Sequence, residues 1–210
     1  MSLLANQVSS FIEAIIQTIN ENADEVTELD RVIGDGDHVV NLQRGLDALE
    51  KISDELSKLE WSAALMKIGM TLMSTMGGAS GSLFGTLFIS MAKAAKGKTL
   101  DFNTFSQVFN QGVEAVKLRG KADLGEKTML DTLVPVANTL ITDATNNVAL
   151  QKALDNAKNA AIDGMQSTKE MVATKGRASF LGERAIGHID AGARTSQLMI
   201  CTIADVILKD

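Results

Sequence analysis

Residues 8–19, VSSFIEAIIQTI, carry apolar side chains at every third or fourth position. At 3.6 residues per turn, this spacing places the apolar side chains along one face of an α-helix. The same spacing recurs at residues 61–76 and 105–116 and, near the end of the chain, at 199–207. Each such helix must bury its apolar face against its neighbours, so the pattern favours a helical bundle.

Further apolar stretches predict helices over residues 38–56, 81–96, 128–145 and 148–174, for a total of about eight helices. The alternating pattern of β-strands is absent from the sequence. No segment rich in proline, glycine or serine divides the chain, so we expect a single domain over residues 1–210. The predicted fold class is all-α, a bundle of amphipathic helices.

The composition is that of an ordinary globular protein, with 45% hydrophobic and 22% charged residues. A formal net charge of -6 argues against binding to nucleic acid or to an anionic membrane, because both favour an excess of lysine and arginine. The single cysteine, Cys201, excludes an intrachain disulfide and lies in an apolar run that predicts a buried, unreactive thiol. The first residues resemble neither a signal peptide nor a membrane span, so we expect a cytoplasmic location.

Three carboxylates, those of Asp30, Asp35 and Asp37, fall within eight positions of the stretch LDRVIGDGDHVVN (29–41). Their mutual repulsion makes such crowding costly unless a cation is bound. Magnesium prefers oxygen ligands and keeps positions open for phosphate and water, so these aspartates are candidate ligands. The spacing excludes a calcium-binding EF-hand, since the position that requires glycine is Val40. A simple turn, with Asp37 capping the next helix, remains an alternative.

Two later stretches combine glycine with polar or basic residues. The first, MGGASGSLFG (76–85), offers backbone N–H groups and the Ser80 hydroxyl to an anion at the start of a helix. A tight turn between two helices would have the same sequence pattern. The second, RGKADLGEKTMLD (119–131), contains lysine and threonine side chains that could contact phosphate, or that could belong to a solvated loop with a threonine cap. Neither stretch is a P-loop.

A fourth stretch, KGRASFLGERAIGHIDAGA (175–193), is a long connection without helical periodicity. Such a connection is uncommon in a compact bundle unless it closes over a ligand. Arg177 carries a planar guanidinium that can hold two phosphate oxygens. His188 could be a phosphoryl carrier or a base, or it could be a hydrogen-bonded structural histidine. Asp190 could equally be the N-cap of the last helix.

Taken together and in this order, the four stretches resemble the L subunit of dihydroxyacetone kinases over essentially the whole chain. That family shows G-D-x-D-H-G-x-N, then G-G-A-S-G, then R-G-K-A…G-x-K-T-M-x-D, then K-G-R-A-S-Y-L-G-E-R…G-H-x-D-P-G-A. The present sequence departs from this pattern at five places: Val39 replaces a glycine, Ser82 and Leu124 each replace a proline, Phe180 replaces a tyrosine, and Ala191 replaces the proline of D-P-G.

The resemblance implies an eight-helix antiparallel up-and-down barrel with a nucleotide, ADP or ATP, held at one end. It implies that Asp30, Asp35 and Asp37 coordinate two magnesium ions that bridge the phosphates. It also implies a catalytic role for Arg177, which would offset charge on the transferred group. The residues implied in nucleotide binding are His38, Val39, Val40, Asn41, Ala79, Ser80, Gly120, Met129, Arg177, Asp190, Ala191 and Gly192.

The reaction implied by the resemblance is phosphoryl transfer to dihydroxyacetone. In this family, a separate K subunit holds dihydroxyacetone covalently. A free-standing L subunit resembles the phosphoenolpyruvate-dependent systems, in which a phosphohistidine on an M subunit of the phosphotransferase system rephosphorylates bound ADP in place. Because no segment resembles the K domain, we expect this type. An ATP-dependent kinase component for another small substrate and a nucleotide-loaded regulatory module remain alternatives.

Overall fold

A computed structural model describes residues 7–209, and within that range it is built from ten α-helices without β-strands. The all-α prediction is therefore confirmed. The helices are α1 (Val8–Glu21), α2 (Ala23–Ile33), α3 (His38–Glu50), α4 (Ser53–Leu56), α5 (Trp61–Thr75), α6 (Gly78–Ala95), α7 (Phe102–Gly120), α8 (Leu130–Thr145), α9 (Leu150–Ser167) and α10 (Ala191–Lys209). Short 3-10 helices cover Thr168–Glu170 and Arg177–Ala185.

Eight of these helices close into a barrel. The order of packing is α1, α3, α5, α6, α7, α8, α9, α10 and back to α1. Short connections between successive helices favour antiparallel neighbours, so the barrel is of the up-and-down kind that the family resemblance implies. Helices α2 and α4 are additions to the barrel, the first joining α1 to α3 and the second joining α3 to α5. The connections at one end of the barrel carry the glycine-rich stretches of the sequence.

The helix bounds differ from the sequence prediction in three places. Helix α2 was not predicted, because its eleven residues are mostly polar and only Val26 and Ile33 are buried. The predicted helix 38–56 is divided into α3 and α4, and the predicted helix 148–174 ends as an α-helix at Ser167. Asp30, which was placed on a turn, therefore lies in the last turn of α2.

The interior of the barrel holds an apolar cavity of about 260 Å³. Its lining comes from the apolar faces of α1, α3, α5, α6, α7, α8 and α10, together with Ser196 on α10. The Ser196 hydroxyl is buried and has no hydrogen-bond partner among residues 7–209. The predicted apolar stripes thus line the barrel interior, and one hydroxyl interrupts an otherwise apolar surface.

Cys201 is only partly buried, in contrast to the buried thiol that its apolar neighbours predicted. The Gln197 side-chain amide donates a hydrogen bond to its Sγ at 3.2 Å. Burial nevertheless raises the pKa of the Cys201 thiol, so the group stays protonated and unreactive near neutral pH.

No α-helix within residues 7–209 is long and apolar enough to cross a membrane.

Candidate functional site

A pocket of about 660 Å³ opens where the helix ends meet. It is distinct in character from the interior cavity, because its lining includes carboxylate, hydroxyl, amide and cationic groups. All four stretches that the sequence singled out contribute to it. Its walls lie within residues 30–41, 78–83, 116–130, 175–178 and 190–192.

The acidic loop (residues 34–37) and the last turn of α2 bring the three aspartates together. One oxygen from each of Asp30, Asp35 and Asp37 lies within 4.8 Å of the others. Gly34 allows this arrangement, since a Cβ at that position would lie 2.2 Å from Asp30 Oδ1. Three carboxylate oxygens at this separation form a donor set for a hard divalent cation.

Asp30, rather than Asp37, caps helix α3. Asp30 Oδ2 accepts a hydrogen bond from the His38 backbone N–H at 3.1 Å. The side chain of Asp37, at the N-cap position itself, makes no capping hydrogen bond. The capping interpretation of Asp37 is therefore wrong, and the exposed Asp37 carboxylate stays available to a ligand.

His38 links three helices at the base of the pocket. Its Nε2 lies 3.0 Å from Thr195 Oγ1, and its Nδ1 lies 3.2 Å from Ser80 Oγ. The Thr195 hydroxyl donates to the Gly192 carbonyl at 3.2 Å, so its oxygen accepts from His38 Nε2–H and Nδ1 accepts from Ser80. Burial lowers the pKa of His38, which favours this neutral form over the cation. His38 thereby fixes the side chain of Ser80.

Only the two ends of the stretch 38–41 line the pocket. His38 and Asn41 lie about one helical turn apart on the pocket side of α3. Val39 is 3% exposed and belongs to the core, whereas Val40 is 56% exposed and points away from the pocket. The structure therefore places the side chains of His38 and Asn41, but not those of Val39 and Val40, at the pocket. Val39, which replaces the family's glycine, does not narrow the pocket.

The start of α6 forms a second wall. Glycine at position 77 leaves room for the Asn41 side chain, because a Cβ there would lie 2.2 Å from Asn41 Oδ1. Ala79 and Ser80 then occupy the first turn of α6 and line the pocket. The N–H groups of a first helical turn have no partner within the helix, and they favour an anion.

The third wall is largely apolar. Gly120 at the end of α7 and Met129 before α8 both line it. They are joined there by Leu83 and Val116. Apolar side chains beside a glycine suit the face of a planar ring.

The covering segment (residues 171–190) runs from the end of the first 3-10 helix to the start of α10. It packs its buried Ala178 and Ala185 against Ile33 of α2. In this position Arg177 Nε donates to Asp35 Oδ2 at 2.7 Å, so the arginine reaches the acidic loop. The Arg177 side chain is 69% exposed and borders the pocket.

Asp190 caps a helix and also lies at the pocket. Its Oδ2 accepts the Ala193 backbone N–H at 2.7 Å, which makes it the N-cap of α10. It also lines the pocket together with Ala191 and Gly192. Burial raises the pKa of the Asp190 carboxyl to about 7. His188, by contrast, does not line the pocket, and its carbonyl accepts a hydrogen bond from Lys127.

Sequence reasoning missed Thr195 and the buried position of Lys127. Thr195 is 157 positions from its partner His38, and Lys127 is 61 positions from His188. Contacts over such separations leave no local pattern. The resemblance covered the stretches that contain Lys127 and His188 without indicating that the two residues meet.

Comparison with known proteins agrees with this architecture. The DAK2 domain profile matches residues 32–205. The chain is 41% identical over 183 residues to the ADP-binding subunit DhaL of phosphoenolpyruvate-dependent dihydroxyacetone kinase 1 from Listeria innocua, covering 87% of each protein. It is 39% identical over 205 residues to the corresponding ADP-binding subunit of Escherichia coli, covering 97% of this chain and 98% of that protein.

The fold also matches a solved structure, that of the dihydroxyacetone kinase from C. freundii in complex with AMP-PNP and Mg²⁺. The TM-score is 0.74 at 22% identity, and the match covers 98% of this chain and 35% of that larger one. At this identity the likeness is one of fold. Together with the family profile and the relatives of similar length, which are kinase subunits, it confirms the family that the sequence motifs predicted. The chain belongs to the DAK2 domain family, that of the ADP-binding L subunits of dihydroxyacetone kinases.

Proposed function

We propose that this chain is the ADP-binding subunit of a phosphoenolpyruvate-dependent dihydroxyacetone kinase. In this role it relays a phosphoryl group from a phosphohistidine on a donor subunit of the phosphotransferase system, through bound ADP, to dihydroxyacetone held on a K subunit. The product is dihydroxyacetone phosphate. The observation that carries the proposal is the meeting of three carboxylates, a helix N-terminus and an arginine in one pocket. The proposal is also supported by two ADP-binding subunits of such kinases, which are about 40% identical to this chain over nearly its whole length.

The donor set suits magnesium. Asp30, Asp35 and Asp37 supply only hard oxygen ligands, and two of the three are exposed to the pocket side of the loop. These carboxylates would hold two magnesium ions, whose remaining coordination positions would be open to the phosphates of the nucleotide. When bound, magnesium neutralises phosphate charge and polarises the oxygens of the transferred group.

The other pocket residues bind and orient the nucleotide. Ala79 and Ser80 offer their backbone N–H groups to phosphate oxygens at the start of α6. Gly120 and Met129 provide the apolar wall against which the adenosine part lies. Gly192 and its neighbours at the start of α10 complete the pocket next to the phosphates.

Arg177 is the residue that we assign to the transfer itself. Its Nε already donates to Asp35, so the guanidinium lies beside the acidic loop, where the phosphates are expected. The guanidinium carries further N–H donors on its Nη atoms, which can hold phosphate oxygens. Donors placed where negative charge develops lower the barrier to phosphoryl transfer.

Reconstitution tests this proposal. The purified chain is mixed with K and M partner subunits, phosphoenolpyruvate and the general phosphotransferase proteins, and dihydroxyacetone phosphate is measured. We expect product only when all components are present, and we expect ADP to remain with the chain through dialysis. Absence of product despite tight ADP binding would refute the proposal. Product formed from free ATP, with rapid exchange of the bound nucleotide and no need for the M subunit, would favour the ATP-dependent alternative.

A further inference from the structure

Lys127 is the largest fully buried side chain among residues 7–209, at 1% exposure. Its backbone has φ +60°, in the left-handed region that non-glycine residues seldom adopt. A buried ammonium group is costly unless it is hydrogen-bonded. Lys127 Nζ meets this requirement by donating to two backbone carbonyls, those of Thr168 and His188.

The two carbonyls lie on either side of the covering segment. Thr168 lies three residues before the segment, and His188 lies near its end. Two hydrogen bonds from backbone N–H groups reinforce the same junction: Gly187 N–H donates to the Lys169 carbonyl at 2.7 Å, and Asp190 N–H donates to the Thr168 side-chain Oγ1 at 3.1 Å. Lys127 therefore holds together the two ends of a loop, and Arg177 lies between those ends.

The neighbouring residue, Glu126, holds the same segment at a third point. Its Oε1 accepts from the Thr174 hydroxyl at 2.8 Å and lies 3.4 Å from Lys175 Nζ. The loop that bears Glu126 and Lys127 is itself fixed to α8, because the Asp131 carboxylate accepts the Gly125 N–H at 2.5 Å and the Thr128 N–H at 2.7 Å. A continuous set of contacts thus leads from α8 to the covering segment.

We propose that Lys127 is a positioning residue that sets the location of Arg177 and of the α10 start, rather than a ligand of phosphate. Although Lys127 borders the pocket, two of its three N–H donors are used by the backbone carbonyls of Thr168 and His188, near the two ends of the covering segment. Burial lowers the pKa of the Lys127 ammonium group, and the nearby carboxyl groups of Asp190, Glu170 and Asp131 oppose this change. This inference rests on the proposed function, since it concerns how the same pocket is held in shape.

The first test replaces Lys127 with methionine, which keeps the length of the side chain and removes its donors. We expect hydrogen exchange to accelerate in residues 171–190 but not in the acidic loop. We also expect magnesium-dependent ADP affinity to fall about tenfold, a usual size for the interaction between residues of one contact network. Lys158→Met is the matched control, because Lys158 pairs with Asp205 between α9 and α10, outside the pocket. Unchanged exchange in the covering segment would overturn the inference.

A double-mutant cycle separates positioning from direct contact. Lys127→Met, Arg177→Ala and the double variant are compared by calorimetry with magnesium and ADP. If Lys127 acts through Arg177, the double variant loses less affinity than the product of the two single losses. Independent, multiplying losses would show that Lys127 contacts the ligand itself or supports only the fold, and would overturn the inference. A wild-type chain that does not bind ADP would refute the proposed function, while the exchange measurement would still report on the role of Lys127.

A second variant covers the case in which Lys127→Met does not fold. Glu126→Gln changes a partly exposed side chain and weakens the attachment at Thr174 and Lys175. We expect the same changes in exchange and in ADP affinity, smaller in size, with an unaltered unfolding midpoint. If exchange near Thr174 stays at its wild-type rate, the attachment has no effect on the segment and the inference fails.

Discussion

The same helices enclose two spaces of opposite character. The pocket, of about 660 Å³, lies at the helix ends and is lined by carboxylates, glycines and first-turn N–H groups. The cavity, of about 260 Å³, lies between the helix faces and is lined by apolar side chains and Ser196. Helix faces carry the periodic apolar residues, whereas connections carry the irregular polar ones. Folding and ligand binding thus depend on separate parts of each helix, and substitutions should affect one without the other.

The largest expected effect is on the cavity side. Leu46→Ala removes a side chain of α3 that is 5% exposed and lines the cavity, so the enlarged void should lower the free energy of unfolding by about 2–5 kcal/mol. Urea denaturation measures this change, and calorimetry should show unaltered ADP affinity in the folded protein. Leu118→Ala, at a side chain that is 81% exposed, is the control and should change stability by less than about 0.5 kcal/mol.

On the pocket side, Asp35→Asn should weaken magnesium-dependent ADP binding. Loss of an outer-sphere partner of a metal costs about 10–100-fold in affinity, and loss of a direct carboxylate ligand should cost at least as much. Helical content should not change, because Asp35 is exposed and lies in a loop. Asp47→Asn, an exposed position on α3 outside the pocket, should bind normally. Undiminished binding by the Asp35 variant in calorimetry would contradict the metal assignment.

The Asp190 carboxyl, which lines the pocket, should make the free energy of unfolding depend on pH. Its pKa is raised from 3.8 to about 7 in the folded chain, mainly by burial. Between these values the folded state binds more protons than the unfolded state, so stability falls as pH rises, by at most about 1.4 kcal/mol per pH unit. Asp190→Asn keeps an acceptor for Ala193 N–H and removes this dependence. Without metal, the two proteins should have the same free energy of unfolding near pH 4, and the variant should be the more stable one near pH 8. A difference in stability that does not change with pH would contradict the pKa assignment.

The smallest expected effect returns to the cavity. Ser196→Ala removes a buried hydroxyl that has no partner in the described chain, so it should raise the free energy of unfolding by up to about 1 kcal/mol. Ser106→Ala is the matched control, because the equally buried Ser106 hydroxyl donates to the Asn103 carbonyl at 2.8 Å. The Ser106 variant should lose stability, whereas the Ser196 variant should gain it. Thermal unfolding of both variants measures these changes, and an equal loss of stability in the two would contradict the expectation.

The sequence predicted the barrel helices well, because each carries a continuous apolar stripe. Helix α2 carries a shorter stripe, Val26, Leu29 and Ile33, among mostly polar residues, and its first turn is acidic, so the helical signal was present there but was missed. The extension of α9 beyond Ser167 was predicted wrongly because the covering segment still contains apolar residues. These pack against α2 rather than in the barrel.

The site was only partly predictable. Short-range spacing was enough to group the three aspartates, which the structure brings within 4.8 Å. The family pattern names a whole stretch, whereas a helix turns successive side chains in different directions, so the side chains of Val39 and Val40 do not line the pocket and their contact with a nucleotide stays a prediction. The His38–Thr195 contact depends on how α3 and α10 pack, and no local pattern in the sequence contains that information.

The contact between Arg177 and Asp35 has a consequence for the charge balance of the pocket. A carboxylate oxygen that accepts a guanidinium N–H at 2.7 Å has an internal counter-ion, which lessens repulsion among the crowded aspartates. Under the proposed function, a divalent cation bound at Asp35 would supply that positive partner instead, and the guanidinium would then be free to turn to the phosphates.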